Sequence, residues 1–165
     1  MAEHEAYDNL IAWLEREGAG YRLIEHAPEG RTELVSRMRG HPVAAAAKCL
    51  VLILKFGKKK TSFVLAVVPG DARVDMAKVK EHFGATYAGF AATEVAERLT
   101  GTVAGTVLPF AFNPELELII DPGVLKHEEI YFNAARLDRS LALKTADYLR
   151  LARPPTAEIA TSATP

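Results

Sequence analysis

Lys48-Cys49-Leu50-Val51-Leu52-Ile53-Leu54-Lys55-Phe56, followed by Gly57-Lys58-Lys59-Lys60 and the apolar run over residues 61–68, is the stretch that decides the fold. Period two puts Lys48, Leu50, Leu52, Leu54 and Phe56 on one face and Cys49, Val51, Ile53 and Lys55 on the other. Both faces are largely apolar, which predicts a central strand covered on both sides. The intervening loop is of hairpin length, so residues 61–68 return as its antiparallel neighbour and stop at Pro69-Gly70-Asp71.

Upstream of the hairpin, Tyr7, Leu10, Ile11 and Leu14 recur at helical spacing over residues 5–17, and Gly18 stops the helix. Residues 21–25 read as a short strand. Thr32 is placed to cap a helix through Arg39, which Gly40 and Pro42 end. Downstream, Asp75 and Thr93 are placed to cap two more helices, over inward positions Met76, Val79, Phe83 and Val95, Leu99. Residues 103–107, 116–120 and 130–133 are strand candidates, and residues 143–151 a last helix. The Pro-, Ala- and Thr-rich tail 154–165 reads as disordered. Helices and strands intermix without regular βαβ alternation, so a single α+β domain over residues 1–153 with a mixed sheet is expected.

A chain of 165 residues that is 49% hydrophobic supports one domain with a real core. The lone Cys49 excludes an internal disulfide and a Cys-only zinc site. The acidic start, Met1-Ala2-Glu3-His4-Glu5, lacks the basic region of a secretory signal, and the longest apolar run is short and interrupted by Lys48. A cytoplasmic protein without a membrane partner is expected. The net charge of −1 sets aside a nonspecific nucleic-acid coat, DNA included, and leaves room for a local patch that grips an RNA end.

Standard catalytic signatures are missing. There is no Gly-x-Ser-x-Gly elbow, Leu52 stands where a phosphate-binding P-loop before Gly57-Lys58 would need glycine, and no two histidines share ligand spacing. No metal or cofactor is implied. What remains is Lys48, a cation in an apolar run, and the segment Gly105-Thr106-Val107-Leu108-Pro109. An ammonium is costly to bury unless it is paired or faces a wet cleft. A lysine snorkelling from a strand end answers that cost as well as a functional cation does. Gly105 permits close backbone approach and Pro109 stiffens the far end, yet an ordinary strand-ending turn reads the same way.

Lys48 and the Gly-x-x-x-Pro loop, in this order, together resemble the bacterial aminoacyl-tRNA deacylase superfamily. That group includes the editing domain inserted in prolyl-tRNA synthetases and free-standing relatives such as the Cys-tRNA(Pro) deacylase. The resemblance runs from about Tyr21 to Leu151. Leu137-Asp138-Arg139-Ser140 and Leu143-Lys144-Thr145-Ala146-Asp147-Tyr148-Leu149-Arg150 are most similar to a free-standing branch that removes serine or threonine from mischarged tRNA.

The resemblance implies a mixed, partly barrel-like sheet surrounded by helices. It also implies a trans-editing hydrolase that cleaves the aminoacyl ester of tRNA mischarged with a small residue of the Ser/Thr/Ala/Cys class. The family's lysine falls on Lys48 and its substrate loop on Gly105, Thr106, Val107, Leu108 and Pro109, with Phe110 beside it. Asn133, His26, Thr32 and Asp121 are further implied substrate-binding positions, and Ser36 joins Thr32 where relatives vary. Asn133-Ala134-Ala135 departs from the Asn-Ala-Gly of that branch, so the backbone at Ala135 is left for the structure to decide.

The implied chemistry needs no strong nucleophile, because an aminoacyl ester is already activated. Backbone groups of the loop and the substrate's own ribose hydroxyl arrange the water, while Lys48 stabilises developing charge. Lys58, Lys59 and Lys60, with Arg136, Arg139 or Lys144, are candidate phosphate contacts, or else a solvated hairpin tip and ordinary surface charges. Leu108, Phe110 and Phe112 read equally as core packing. Alternation turns Cys49 away from Lys48. The partner implied is the acceptor end of mischarged tRNA, with a synthetase as a second candidate. A noncatalytic tRNA-end or small-ligand binding module and a general acyl esterase are the competing readings.

Overall fold

The computed structural model describes residues 4–162. In chain order the elements are α1 (Glu5–Arg16), β1 (Tyr21–Glu25), α2 (Thr32–Arg39), β2 (Ala47–Phe56), β3 (Lys60–Pro69), β4 (Ala72–Val74), α3 (Met76–Phe83) and β5 (Tyr87–Phe90). They continue with α4 (Thr93–Thr100), β6 (Leu116–Ile120), β7 (Glu129–Arg136), β8 (Arg139–Lys144), α5 (Thr145–Ala152) and β9 (Ala160–Ser162). Short 3₁₀ turns at Val43–Ala45 and Pro122–Lys126 precede β2 and β7.

The hairpin is as expected: β2 and β3 pair antiparallel from Ala47 opposite Pro69 to Phe56 opposite Lys60. They sit at the middle of a four-stranded sheet, β5-β2-β3-β6, in which β3 and β6 run parallel. Its two faces carry separate cores. Val51, Leu65 and Val67 pack with Leu10 and Leu14 of α1, Phe132 of β7, Leu141 of β8 and Tyr148 of α5. Leu52, Leu54, Val64, Ala66 and Val68 pack with Val79 of α3 and Ile159. Burial on both faces explains why β2 and β3 show almost continuous apolar sequence rather than alternation.

A second sheet runs β1-β8-β7, all antiparallel, and a third pairs β4 with β9. The expected barrel character is not realised. A parallel bridge between Ala46 and Tyr131 joins the first two sheets at one point, while β5 and β6 remain edges, so nothing closes. No helix among the described residues is long and apolar enough to cross a membrane.

Several local expectations change. Asp75 does cap α3, its Oδ1 accepting from the Ala77 and Lys78 amides at 3.0 and 3.2 Å. Thr32 and Thr93 are instead first helical residues, behind Arg31 and Ala92, and neither makes a side-chain cap. Residues 103–107 are loop, because Gly105 adopts φ +85° and breaks any extended run. Residues 139–144 form β8, a strand that the helical reading of the following segment masked.

The tail is the largest correction. Residues 154–162 are ordered: the Ile120 amide donates to the Pro155 carbonyl, and Asp121 Oδ1 accepts from the Ile159 and Ala160 amides at 3.0 and 3.1 Å. Residues 163–165 lie outside the described set. Composition suggested disorder, yet Ile159 is fully buried beneath the central sheet. Ile159→Ala is expected to cost about 2–5 kcal/mol through lost burial and the cavity left behind. A denaturant midpoint that does not move would contradict this packing.

Candidate functional site

The end of β2 nearest the second sheet, β1-β8-β7, opens into a cavity of about 200 Å³. Its wall is built from Thr32, Val35 and Arg39 of α2, Lys48 and its strand neighbours, Gly105 and Val107 of the loop, and Tyr131 to Asn133 of β7. A larger groove of about 980 Å³ lies beyond the Gly30–Gly105 contact, between α1 and residues 135–138. Neither Lys48 nor Gly105 lines it.

Lys48 is half-buried, and its Nζ donates to the Ala72 carbonyl. That is its sole hydrogen bond among the described residues, and an ammonium carries three donors. Two N–H groups are therefore left for a ligand. Burial lowers the Lys48 pKa from the usual lysine value, and Arg73 lowers it further, against the pull of Asp71 and Glu33. None of those carboxylates is an ion-pair partner, so the group is a poised cation with spare donors.

The loop faces it. Gly105 sits at φ +85°, and a Cβ there would lie 2.9 Å from the Gly30 Cα, closer than side-chain carbons pack. The Gly105 and Val107 amides have no partner among the described residues, because the loop's internal bond runs from the Thr106 amide to the Val103 carbonyl at 3.0 Å. Unpaired amides in a turn at a cavity rim are the donor type that stabilises a developing oxyanion.

Asn133 ties this loop to the 28–30 segment. Its Nδ2 donates to the Glu29 carbonyl at 2.9 Å and the Gly105 carbonyl at 3.0 Å. Its Oδ1 accepts from Arg39 Nη2 at 2.9 Å and Ser140 Oγ at 2.8 Å. The amide orientation is forced, since two carbonyls can only accept and a guanidinium can only donate. Arg39 Nε also donates to Ser140 Oγ at 2.8 Å, and Nη1 reaches His41 Nε2 at 3.3 Å. His41 must then carry its proton on Nδ1, which donates to the Pro42 carbonyl at 2.7 Å while the ring stacks on Tyr131. Burial lowers the His41 pKa, with Arg39 and His127 adding to the effect, in keeping with a neutral ring.

Lys48, Gly105, Val107, Thr32 and Asn133 are thus brought together. The remaining expected positions fall elsewhere. Thr106 is buried with its hydroxyl donating to the Val103 carbonyl, and the Pro109 carbonyl accepts from Tyr148. Leu108 and Phe110 are core residues, and Phe110 stacks among Trp13, Phe112 and Tyr148. His26 stands behind the cavity, its Nε2 2.7 Å from Ser140 Oγ. Asp121 is not at the cavity: its carboxylate caps Gly123 and anchors the tail, which is reason enough for a buried acid there. Ser36 is fully buried off the cavity wall, and its hydroxyl has no partner among the described residues.

Arg136 pairs with Asp138 at 2.8 Å, and Arg139 donates to the Tyr7 hydroxyl at 2.9 Å, so neither is a free cation. Lys58, Lys59 and Lys60 are exposed at the far hairpin tip, roughly 25 Å along β2 from Lys48 at about 3.3 Å per residue. Arg39, Ser140, His41 and Tyr131 were missed. The sequence marked Arg39 only as the end of a helix, and only tertiary packing brings it to the cavity wall.

Cys49 points into the α1-side core, as alternation requires, and desolvation pushes its thiol pKa well up. A thiol held protonated is no nucleophile, so Cys49→Ser is expected to keep the wild-type turnover. Ala135 adopts φ +61° at the bulge that separates Asn133 from Arg136 in the β7–β8 register. This is the conformation that glycine adopts freely. Ala135→Gly should raise unfolding free energy by about 0.5–1 kcal/mol, as relief of left-handed strain outweighs the added chain entropy.

Known proteins resemble this chain in sequence and in fold. The family model of the aminoacyl-tRNA editing domain matches residues 26–151. The multifunctional Ser/Thr-tRNA deacylase ProXp-y of Escherichia coli K12 is 41% identical over 149 residues, covering 90% of this chain and 89% of the relative. Its counterpart in strain O157:H7 matches equally. Among solved structures, a hypothetical protein aligns with TM-score 0.82 at 21% identity, over 92% of this chain and 99% of that one. A candidate trans-editing enzyme for prolyl-tRNA synthetase aligns with TM-score 0.79 at 22% identity, over 98% and 100%. At such identities the two solved structures speak for the fold.

Proposed function

The chain belongs to the aminoacyl-tRNA editing domain family, and from that premise we propose that it deacylates tRNA mischarged with serine or threonine. The observation that carries the reading is the half-buried Lys48, its ammonium with two spare donors, lining one small cavity together with Gly105 and Val107, whose amides are unpaired among the described residues. This geometry needs no protein nucleophile. The loop amides hold the ester carbonyl as it becomes an oxyanion, and Lys48 binds charge on the substrate's terminal nucleotide or aminoacyl group. The neighbouring ribose hydroxyl helps place the attacking water.

A volume of about 200 Å³ lies below the range usual for drug-sized ligands and suits a small side chain. Thr32 is part of the wall and is the hydroxyl-bearing residue we assign to a hydroxylated substrate. Size exclusion of larger residues is sharp, whereas a single methylene is worth about 1–3 kcal/mol, so serine and threonine are both accepted. Lys58, Lys59 and Lys60 lie too far away to touch the terminal nucleotide and can reach only the paired stem. A tRNA substrate supports a cytoplasmic site of action. Delivery by the synthetase that made the error suits a chain of net charge −1 with few free cations near the cavity.

A panel of aminoacyl-tRNAs tests this reading. Ser- and Thr-tRNA mischarged on noncognate acceptors should be hydrolysed, and large aminoacyl groups should not. No turnover of any member would favour a binding module, and equal turnover of free amino-acid esters a general esterase.

A further inference from the structure

Arg39 stands half-buried on the cavity wall without a carboxylate partner among the described residues. Desolvation pushes its pKa down to about 10, so it keeps its charge at neutral pH while bonded to neutral acceptors alone. A half-buried guanidinium arranged this way stabilises the fold poorly, since its partial desolvation is not repaid by an ion pair. Two of its three bonds converge instead on one task. Nη2 and Ser140 Oγ fill both acceptor positions of the Asn133 carboxamide, and Nε holds Ser140 in place. With the oxygen side occupied, both Nδ2 protons must point away, one to the Glu29 carbonyl and one to the Gly105 carbonyl. Those carbonyls belong to the two segments that touch at Gly30 and Gly105.

We propose that Arg39 is a positioning residue of the deacylation site, acting through Asn133 to fix the Gly105 peptide and hence the aim of the loop amides. The inference rests on the deacylase reading above. A fork-shaped donor is needed, because Ser140 Oγ and Asn133 Oδ1 must be met by two N–H groups of fixed relative direction. Lysine, with the same charge, cannot hold both. Once the carboxamide is free to rotate, the Gly105 carbonyl loses its partner and the loop amides lose their direction. Misplacement on the order of an ångström costs about 100-fold in rate.

The test is a double-mutant cycle on mischarged Ser-tRNA with Arg39→Lys, Asn133→Ala and the pair. Arg39→Lys should lower kcat by about 30- to 100-fold and change KM for tRNA by less than about 3-fold. Because both act through one contact, the double variant should be no slower than the slower single variant. Losses that multiply, or a folded Arg39→Lys protein with wild-type kcat, overturn the proposal. If either variant fails to fold, Arg39→Met or Asn133→Ser takes its place in the cycle. Wild-type protein that deacylates nothing refutes the functional reading alone. The Asn133 side-chain and Gly105 backbone amide NMR signals then decide: shifts of both in Arg39→Lys support the positioning role, and unmoved signals overturn it.

Discussion

Replacing Lys48 by alanine is expected to remove most deacylation, lowering kcat by roughly two to three orders of magnitude, about 3–4 kcal/mol of transition-state stabilisation. The fold should survive, because the ammonium contributes a single hydrogen bond, to the Ala72 carbonyl, and no ion pair among the described residues. Burial lowers the folded-state pKa of Lys48 below that of an unfolded lysine. Between those two values the unfolded chain binds the extra proton, so the charge opposes folding at neutral pH, and stability rises as pH climbs through the folded value. Lys48→Met should therefore fold at least as well as wild type at pH 7 while failing to deacylate. Activity, corrected for spontaneous ester hydrolysis, should fall with rising pH at a value below that of an ordinary lysine. A folded Lys48→Ala protein that works at the wild-type rate would refute the assignment.

Gly105→Ala should be nearly as damaging, for a different reason. The left-handed backbone costs an alanine roughly 1–2 kcal/mol. The new Cβ would also sit 2.9 Å from the Gly30 Cα, and a backbone atom cannot step aside as a side chain can. The loop must move, and with it the amides that face the cavity, so kcat should drop about 100-fold with a lowered thermal midpoint. Gly18→Ala separates the two effects. It has φ +64° and open space around its missing Cβ, so it carries the strain without the collision. Loss of stability with full activity is expected there. If Gly105→Ala behaves like Gly18→Ala, the loop is not part of the site.

Parts of this architecture were legible from local pattern because they are locally determined. Alternation along residues 48–56 identified the central strand and its two buried faces. Helical spacing found α1, and the Asp75 side chain announced the start of α3. What failed did so where a long-range partner decides. Thr32 and Thr93 have cap-forming side chains, but the chain enters those helices one residue earlier. Residues 139–144 gain their strand conformation from β1 on one side and β7 on the other. The Pro- and Thr-rich tail resembles a disordered one until Asp121, distant in sequence, caps its amides and the sheet buries Ile159.

The candidate site divides the same way. Lys48 stood out in the sequence because it breaks a local rule, a charge in an apolar strand, whereas the glycine loop read as an ordinary turn until the family resemblance singled it out. Arg39, Ser140 and the orientation of Asn133 break none. An arginine at a helix end and a serine in an apolar segment are ordinary until the fold sets them within 3 Å of one carboxamide. Residue types and their periodicity by themselves determined the central hairpin, the two-sided core and the identity of the anomalous cation. Only the tertiary structure decided what that cation faces and what holds the loop opposite. Hydrogen-bond networks and cavity walls are made of contacts between residues a hundred positions apart, and no local spacing records those.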